Sequence, residues 1–290
     1  MEFSSILNFI GSTPLVLLER LNPNPSTTLL AKVEGMNPTG SAKDRVALNM
    51  VRHAEESGQL LPGQTLVDAT CGSAGVSLAM VGACLGYPAR IFMPESANPW
   101  YKTAMETYGA QVTLTPAQFG MDGALAQAAH LAEKYPARYC YLNQHQNPEN
   151  PMAHFDTTAQ ELWQQTAGEI THLVAPVGTS GTLMGISAGL KAKNPAIEIV
   201  EAHPVPGHTI PGLCNFQEEG EPYSYAAQLV DRRIMVDTQQ ALQAQTSLAV
   251  KEGISAGLSS GAALAAAISF CKNLDQGTVV VVLPSRRQLM

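Results

Sequence analysis

Lys32-Val33-Glu34-Gly35-Met36-Asn37-Pro38-Thr39-Gly40-Ser41-Ala42-Lys43-Asp44-Arg45 is the stretch that decides the fold. It continues the apolar run 29–33, which has the length and composition of a buried strand. Asn37-Pro38-Thr39-Gly40 is strong turn chemistry, and Ser41 can cap the helical pattern over 41–57. A strand, a tight turn and a helix in succession is the building unit of an α/β fold. Outward from this stretch the alternation repeats. Further strands are expected at 65–68, 89–93, 111–114, 139–142, 172–176, 197–202 and 279–283. Helices are expected at 75–85, 98–108, 123–133, 151–165, 182–191, 239–252 and 260–272. Several strands are apolar on both alternating faces, which predicts mostly parallel sheets covered by helices on two sides.

Lys43 falls in the first helical turn, where a cation is disfavoured by the helix dipole. Two readings follow from that position. One is a solvated lysine pairing with Asp44 or Glu34. The other is an amine whose pKa is pushed down, which suits Schiff-base chemistry.

The composition excludes several classes. The 290 residues hold 17 Lys and Arg against 24 Asp and Glu, a formal charge of −7, which argues against a surface for nucleic acid or anionic lipid. Charged residues make up 14% and hydrophobic ones 45%. An average globular protein carries about 25% charged residues, so a large core is implied. The segments 69–89, 170–190 and 253–271 contain no Asp, Glu, Lys or Arg. Each is broken by a Gly-, Ser- and Thr-rich cluster, namely Thr70-Cys71-Gly72-Ser73-Ala74-Gly75, Gly178-Thr179-Ser180-Gly181-Thr182 and Gly257-Leu258-Ser259-Ser260-Gly261. Such clusters make poor membrane spans, and no membrane association is expected. Cys71, Cys84, Cys140, Cys214 and Cys271 form no CxxC pair and read as reduced thiols of a cytoplasmic protein. The N-terminus shows no basic region followed by an apolar run, so no signal peptide is expected.

Neither GxGxxG nor GxxxxGK[ST] occurs. GxSxG occurs three times, around Ser187, Ser255 and Ser259. A hydrolase of that type needs an acid and then a histidine downstream. The last histidine is His208, which removes Ser255 and Ser259, and Ser187 lies inside a helical pattern. The loop 204–225, with His208 and Cys214 in it and His203 just before, could hold a metal or be plain solvated loop. No zinc spacing matches, and no metal is expected. Gly178–Thr182 follows a buried strand and opens a helix. That is either a glycine-rich turn or an anion site built from backbone N–H groups.

The opening stretch resembles the cofactor attachment site of the cysteine synthase and cystathionine β-synthase family, K-x-E-x-x-N-P-x-G-S-x-K-D-R, with every fixed position present. The likeness extends from Ile10-Gly-Ser-Thr-Pro-Leu15 to Val282-Leu-Pro284. At Thr209-Ile-Pro-Gly-Leu213 and Leu229-Val-Asp231 it follows the B-type, O-acetylserine sulfhydrylase branch. This resemblance implies a two-domain, fold type II pyridoxal 5'-phosphate enzyme. Residues 1–34 and 146–290 would form the larger, cofactor-binding domain, and 35–145 a smaller one that closes on substrate. Lys43 would carry the internal aldimine. Gly178, Thr179, Ser180, Gly181 and Thr182 would hold the cofactor phosphate, Ser259 the pyridine nitrogen, and Ser73 would stand at the ring hydroxyl. Thr70, Cys71, Gly72 and Ser73, with Gln144, would bind the substrate carboxylate. The implied activity is β-replacement on an O-activated L-serine by sulfide through an aminoacrylate, giving L-cysteine, in a cytoplasmic homodimer. β-Elimination, a different amino acid or nucleophile, and a catalytically degenerate regulatory homologue are the alternatives. They arise because Thr70–Gly75 departs from the family's T-S-G-N-T-G, Asn98-Pro-Trp-Tyr101 replaces a polar S-x-E-R stretch, and His145 stands where Phe is common.

Overall fold

A computed structural model describes residues 5–287. The first four residues, on which the signal-peptide reading begins, lie outside the described residues. The strands are β1 Leu15–Leu17, β2 Thr27–Val33, β3 Thr65–Ala69, β4 Ala89–Pro94, β5 Gln111–Thr115, β6 Tyr139–Tyr141, β7 His172–Pro176, β8 Glu198–Pro204, β9 Arg232–Val236 and β10 Gly277–Leu283. The helices are α1 Lys43–Glu56, α2 Ser73–Leu85, α3 Pro99–Thr107, α4 Gly120–Lys134, α5 Glu149–Ala153, α6 Ala159–Gln165, α7 Gly181–Lys193, α8 Phe216–Glu219, α9 Thr238–Glu252 and α10 Leu258–Cys271. No helix among the described residues is long and apolar enough to cross a membrane.

The chain forms two compact units. Among the described residues, one comprises Lys43–Asn150 with residues 5–10, and the other Gly11–Ala42 with residues 151–287. The expected α/β architecture is present in both. In the first, four parallel strands lie in the order β5-β4-β3-β6. Val67, Ala69 and Phe92 pack there against Ala124 and Ala128 of α4.

The second unit holds six strands in the order β1-β2-β10-β7-β8-β9, parallel throughout except for β1 against β2. Central β10 shows why its run of valines carries no polar alternation. Val279 and Val281 face a core with Leu248 of α9 and Leu264 of α10. Val280 and Val282 face the opposite core with Leu162, Leu183 and Ile186 of α6 and α7. Side chains of a strand alternate between faces, so a strand covered twice is apolar throughout.

Several features depart from the expected elements, among them the short helix α8 inside the stretch 204–225 read as loop. β1 and β9 were not expected from the sequence. Both are edge strands; β1 has only three residues, and β9 opens on two arginines, so neither presents a buried apolar pattern. The helix expected over 151–165 is interrupted by a π-helical turn, His154–Thr158. α7 approaches this region closely, because a Cβ at Gly185 would strike the Pro151 carbonyl and one at Gly189 would lie 2.5 Å from Ala159 Cβ. The GxSxG around Ser187 is therefore a helix-packing motif. Ser187 itself is buried, with no hydrogen-bond partner for Oγ among the described residues.

Much of the opening stretch is structural. Buried Lys32 donates to Glu161 Oε2 at 2.5 Å, Thr13 O at 2.7 Å and Gln165 Oε1 at 2.9 Å. Glu34, wholly buried, accepts from Thr13 Oγ1 at 2.6 Å and Asn37 Nδ2 at 2.9 Å, while Asn37 Oδ1 accepts Gly11 N at 2.8 Å. Ala42 N then donates to Pro284 O at 2.8 Å, beside the bridge between Ser41 and Ser285. These bonds fix the chain up to the residue before Lys43. Removing one partner of a buried ion pair leaves the other uncompensated. Glu161→Ala is therefore expected to destabilise the fold by about 3 kcal/mol, measured by urea unfolding. A loss under about 1 kcal/mol would show that Lys32 needs no counter-charge.

Candidate active site

In the second unit, β7 ends at Pro176 and the chain turns into α7 through Val177-Gly178-Thr179-Ser180. Ser180 takes a left-handed conformation, φ 67°, at the helix start. Its buried hydroxyl has no hydrogen-bond partner among the described residues. The first N–H groups of a helix have no partners within it, so loop and helix start together present donors at a strand end. Thr182 Oγ1 lies 3.1 Å from His154 Nε2, and His154 Nδ1 lies 2.9 Å from Thr158 Oγ1. The π-helical turn thus supports the loop from behind, consistent with the frequency of such turns at functional sites.

Ser259 is the second residue of α10. Its neighbour Ser260 is a structural group, donating to Ser285 O at 3.1 Å, while Gly257 N donates to the same carbonyl at 2.8 Å. Ser259 instead faces Gly212. A Cβ on Gly212 would sit 3.4 Å from Ser259 Cβ and 3.6 Å from its Oγ, and one on Gly178 would sit 2.5 Å from Gly212 O. The Gly212 backbone, with φ 91°, therefore lies between the 178–182 loop and Ser259, and Cys214 N bonded to Val177 O at 2.8 Å holds it there. Gly212 received no role from the sequence, although the Pro211-Gly212 pair is a turn signal. His154 had no signal at all. Among the described residues no three His, Cys, Asp or Glu side chains could hold a metal ion; His203 lies 2.7 Å from the buried Glu201 carboxylate.

In the first unit, Lys43 opens α1, and desolvation brings its amine from 10.5 down to about 8. The carboxylate of Asp44, buried beside it in sequence, accepts the Ser77 hydroxyl at 2.6 Å. Through that bond the start of α1 is tied to α2, where Ser77 Oγ lies 3.1 Å from Ser73 O. Ser73 lies in the first turn of α2, two residues earlier than the expected helix start. The preceding turn is built on Gly72 N donating to Thr70 Oγ1 at 3.1 Å. Cys71 is exposed within that turn. The Tyr101 ring covers it, since a Cβ on Gly72 would lie 3.4 Å from Tyr101 Cζ.

Gln144 is buried at the far side of β3, where its Nε2 donates to Ala69 O at 3.1 Å. Its backbone N–H goes to Asp68 Oδ2 at 3.2 Å, and Ala69 N goes to Asp68 Oδ1 at 2.8 Å. Burial pushes the Asp68 carboxyl up to about 7, against the pull of those two N–H groups. Burial and then the positive charge of Lys43 lower the imidazole pKa of His145. One unit therefore gathers Gly178–Thr182 and Ser259 around Gly212. The other gathers Lys43, Thr70–Ser73 and Gln144, with Tyr101 of the 98–101 stretch and Asp68, which the sequence did not single out, as further members.

Residues 6–285 match the model of the pyridoxal-phosphate dependent enzyme family. Cysteine synthase B of Pseudomonas aeruginosa is 42% identical over 286 residues, covering 99% of this chain and 95% of that protein. Among solved structures, cysteine synthase from Entamoeba histolytica superposes with a TM-score of 0.92 at 34% identity, covering 99% of this chain and 88% of that one. O-ureido-L-serine synthase gives a TM-score of 0.93 at 35% identity, covering 99% and 92%. On the match of nearly its whole length, the chain belongs to the pyridoxal-phosphate dependent enzymes.

Proposed function

We propose that the protein is a cysteine synthase, replacing the β-oxygen substituent of an O-activated L-serine with sulfide to give L-cysteine. The observation that carries this reading is Lys43. It opens α1 directly after the intact 32–42 segment, with its amine held at about 8. The cysteine synthase names of the relatives set the substrate class.

The residues fit pyridoxal phosphate. The 178–182 loop offers hydroxyls and helix-start N–H groups and contains no carboxylate, and its buried Ser180 hydroxyl lacks a partner among the described residues. Such a neutral donor cradle suits a phosphate dianion. When bound, the cofactor supplies the electron sink that stabilises negative charge at the substrate Cα. Lys43 would hold it through the amine and would move the proton at Cα. Ser259 would hydrogen-bond the pyridine nitrogen, and a neutral partner there would keep the ring a weaker sink than a carboxylate does, favouring departure of the β-substituent. Thr70–Ser73 and Gln144 hold the substrate carboxylate through backbone N–H groups, hydroxyls and an amide. The Cβ–O bond breaks with loss of a carboxylate leaving group, and a Cβ–S bond forms from sulfide. The same reading places the enzyme in the cytoplasm as a homodimer, following its family.

The first test is purified holoenzyme with O-acetylserine and sulfide, which should form cysteine. Bound cofactor without cysteine would overturn the reading, and faster sulfide release from cysteine than its formation would replace it with β-elimination. Lys43→Ala should lower turnover by roughly 10²–10⁴-fold, the range of a lost acid–base group. Only the neutral amine attacks an aldehyde, so Lys43 is unreactive while protonated. Attachment of pyridoxal phosphate to apoenzyme should thus accelerate with rising pH around a midpoint near 8. A midpoint near 10.5, the ordinary value for lysine, would show a solvated amine.

Ser180→Ala removes a hydrogen bond to a charged group, worth about 1.5–3 kcal/mol, so cofactor affinity should fall about tenfold or more. Fluorescence titration of the apoenzyme reads this, and unchanged affinity would remove the loop from phosphate binding.

A further inference from the structure

The end of strand β6 contains a substitution of side chains for backbone that fixes Gln144. β6 runs parallel to β3 with Thr65, Leu66 and Val67 opposite Tyr139, Cys140 and Tyr141. Its last regular rung is Leu142 N to Val67 O, at 3.0 Å. Continued in register, the ladder would next join Ala69 N to Leu142 O and Gln144 N to Ala69 O. Neither bond forms. Asn143 adopts a left-handed φ of 49°, uncommon for a residue other than glycine, and turns the chain away from β3.

All four backbone groups that these rungs would have used are taken by side chains. Ala69 N and Gln144 N both donate to the single carboxyl of Asp68, at 2.8 and 3.2 Å. Ala69 O accepts the Gln144 amide at 3.1 Å, and Leu142 O accepts Asn147 Nδ2 at 2.7 Å. Asn150 Nδ2 secures Gln144 O at 2.9 Å. Among the described residues, Asp68 is the side chain that accepts from both departing strands. An apolar residue in its place would leave two buried N–H groups without acceptors, which native interiors avoid.

We propose that Asp68 is a positioning residue for substrate recognition, its carboxyl standing in for two missing ladder rungs and thereby holding the Gln144 amide in fixed register with the Thr70–Ser73 turn. The inference rests on the proposed role of that turn and of Gln144 as the grip on the substrate carboxylate. Thr70 follows Ala69 directly, so the pair of bonds to Asp68 spans both halves of that grip. Asp68 acts through these neighbours, which makes the expected defect one of amino-acid binding. Lys43 chemistry and cofactor attachment should persist without it.

Asp68→Asn tests this, because the amide keeps the shape and one acceptor but turns an N–H₂ toward one of the two donors. The KM for O-acetylserine should rise tenfold or more, with kcat within threefold and cofactor affinity unchanged. Amide exchange of the peptide covering 142–147, read by mass spectrometry, should accelerate in the resting holoenzyme. Asp68→Glu, which keeps the carboxylate, should fall between the two proteins in KM and carries the test if Asp68→Asn does not fold. An unchanged KM, a fall in kcat alone, or equal loss of cofactor binding in both variants would overturn the proposal. Wild-type protein that forms no cysteine would instead defeat the proposed reaction. The exchange measurement still reports on Asp68 in that case, since it requires no turnover.

Discussion

Backbone groups left over where parallel strands stop are the constraint on which this molecule depends. A buried N–H or C=O must find a partner, and beyond the last residue of a strand the neighbouring strand no longer offers one. At the end of β10 the solution is Ser285. Its carbonyl takes Gly257 N and Ser260 Oγ, while Pro284 O takes Ala42 N and Gly40 O takes Arg286 N. One strand end therefore anchors both the start of α10, which carries Ser259, and the turn that delivers Lys43. At the end of β7 the chain bends through the left-handed Ser180 into α7 and leaves donors facing outward. At the end of β3 it is Asp68 that closes the account.

This arrangement explains why a chain so poor in charge can hold charged ligands. Donors supplied by helix starts, turns and hydroxyls carry no net charge, so they need no counter-ion and little desolvation of formal charge. Each of the three charge-free segments contains such a turn. The one cation assigned to the reaction, Lys43, is itself brought toward neutrality by burial. Lys32 and Glu34, also wholly buried, are spent on architecture: both are satisfied by several polar partners, and both fix the segment that leads to Lys43. A motif with seven fixed polar positions thus divides its labour between holding a turn and presenting an amine.

How much of this is legible in sequence depends on the range of the interaction. The 32–45 segment shows itself because strand, turn, cap and lysine are contiguous, and the helix-start loops show themselves by glycine and hydroxyl content. The cores follow from periodicity, as the valines of β10 show. Gly212 could not be read, because its importance comes from contacts with Gly178 and Ser259, 34 and 47 positions away in the chain. Asp68 looked like the polar end of an apolar strand, and only the departure of Asn143 from the ladder reveals what its carboxyl is for. β9 escaped notice since edge strands tolerate charge, and the helix through Pro151 was read as continuous since a π-helical turn does not alter apolar content.

The departure of Thr70–Gly75 from the family pattern gains a physical reading from the same constraint. On the proposed assignment the substrate carboxylate is gripped largely by main chain, and main-chain direction here is set by neighbours outside the turn. Thr70 N bonds Phe92 O at 3.0 Å, and Ser77, bonded to Asp44 at 2.6 Å, packs against the Ser73 carbonyl with Oγ 3.1 Å from it. Side chains at 71, 73 and 74 can change without moving those donors. A carboxylate, common to all α-amino acids, needs only the donors. Cys71 is exposed, and the Tyr101 ring lies over Gly72. On the proposed assignment, drift in this turn is thus compatible with retained α-amino acid binding.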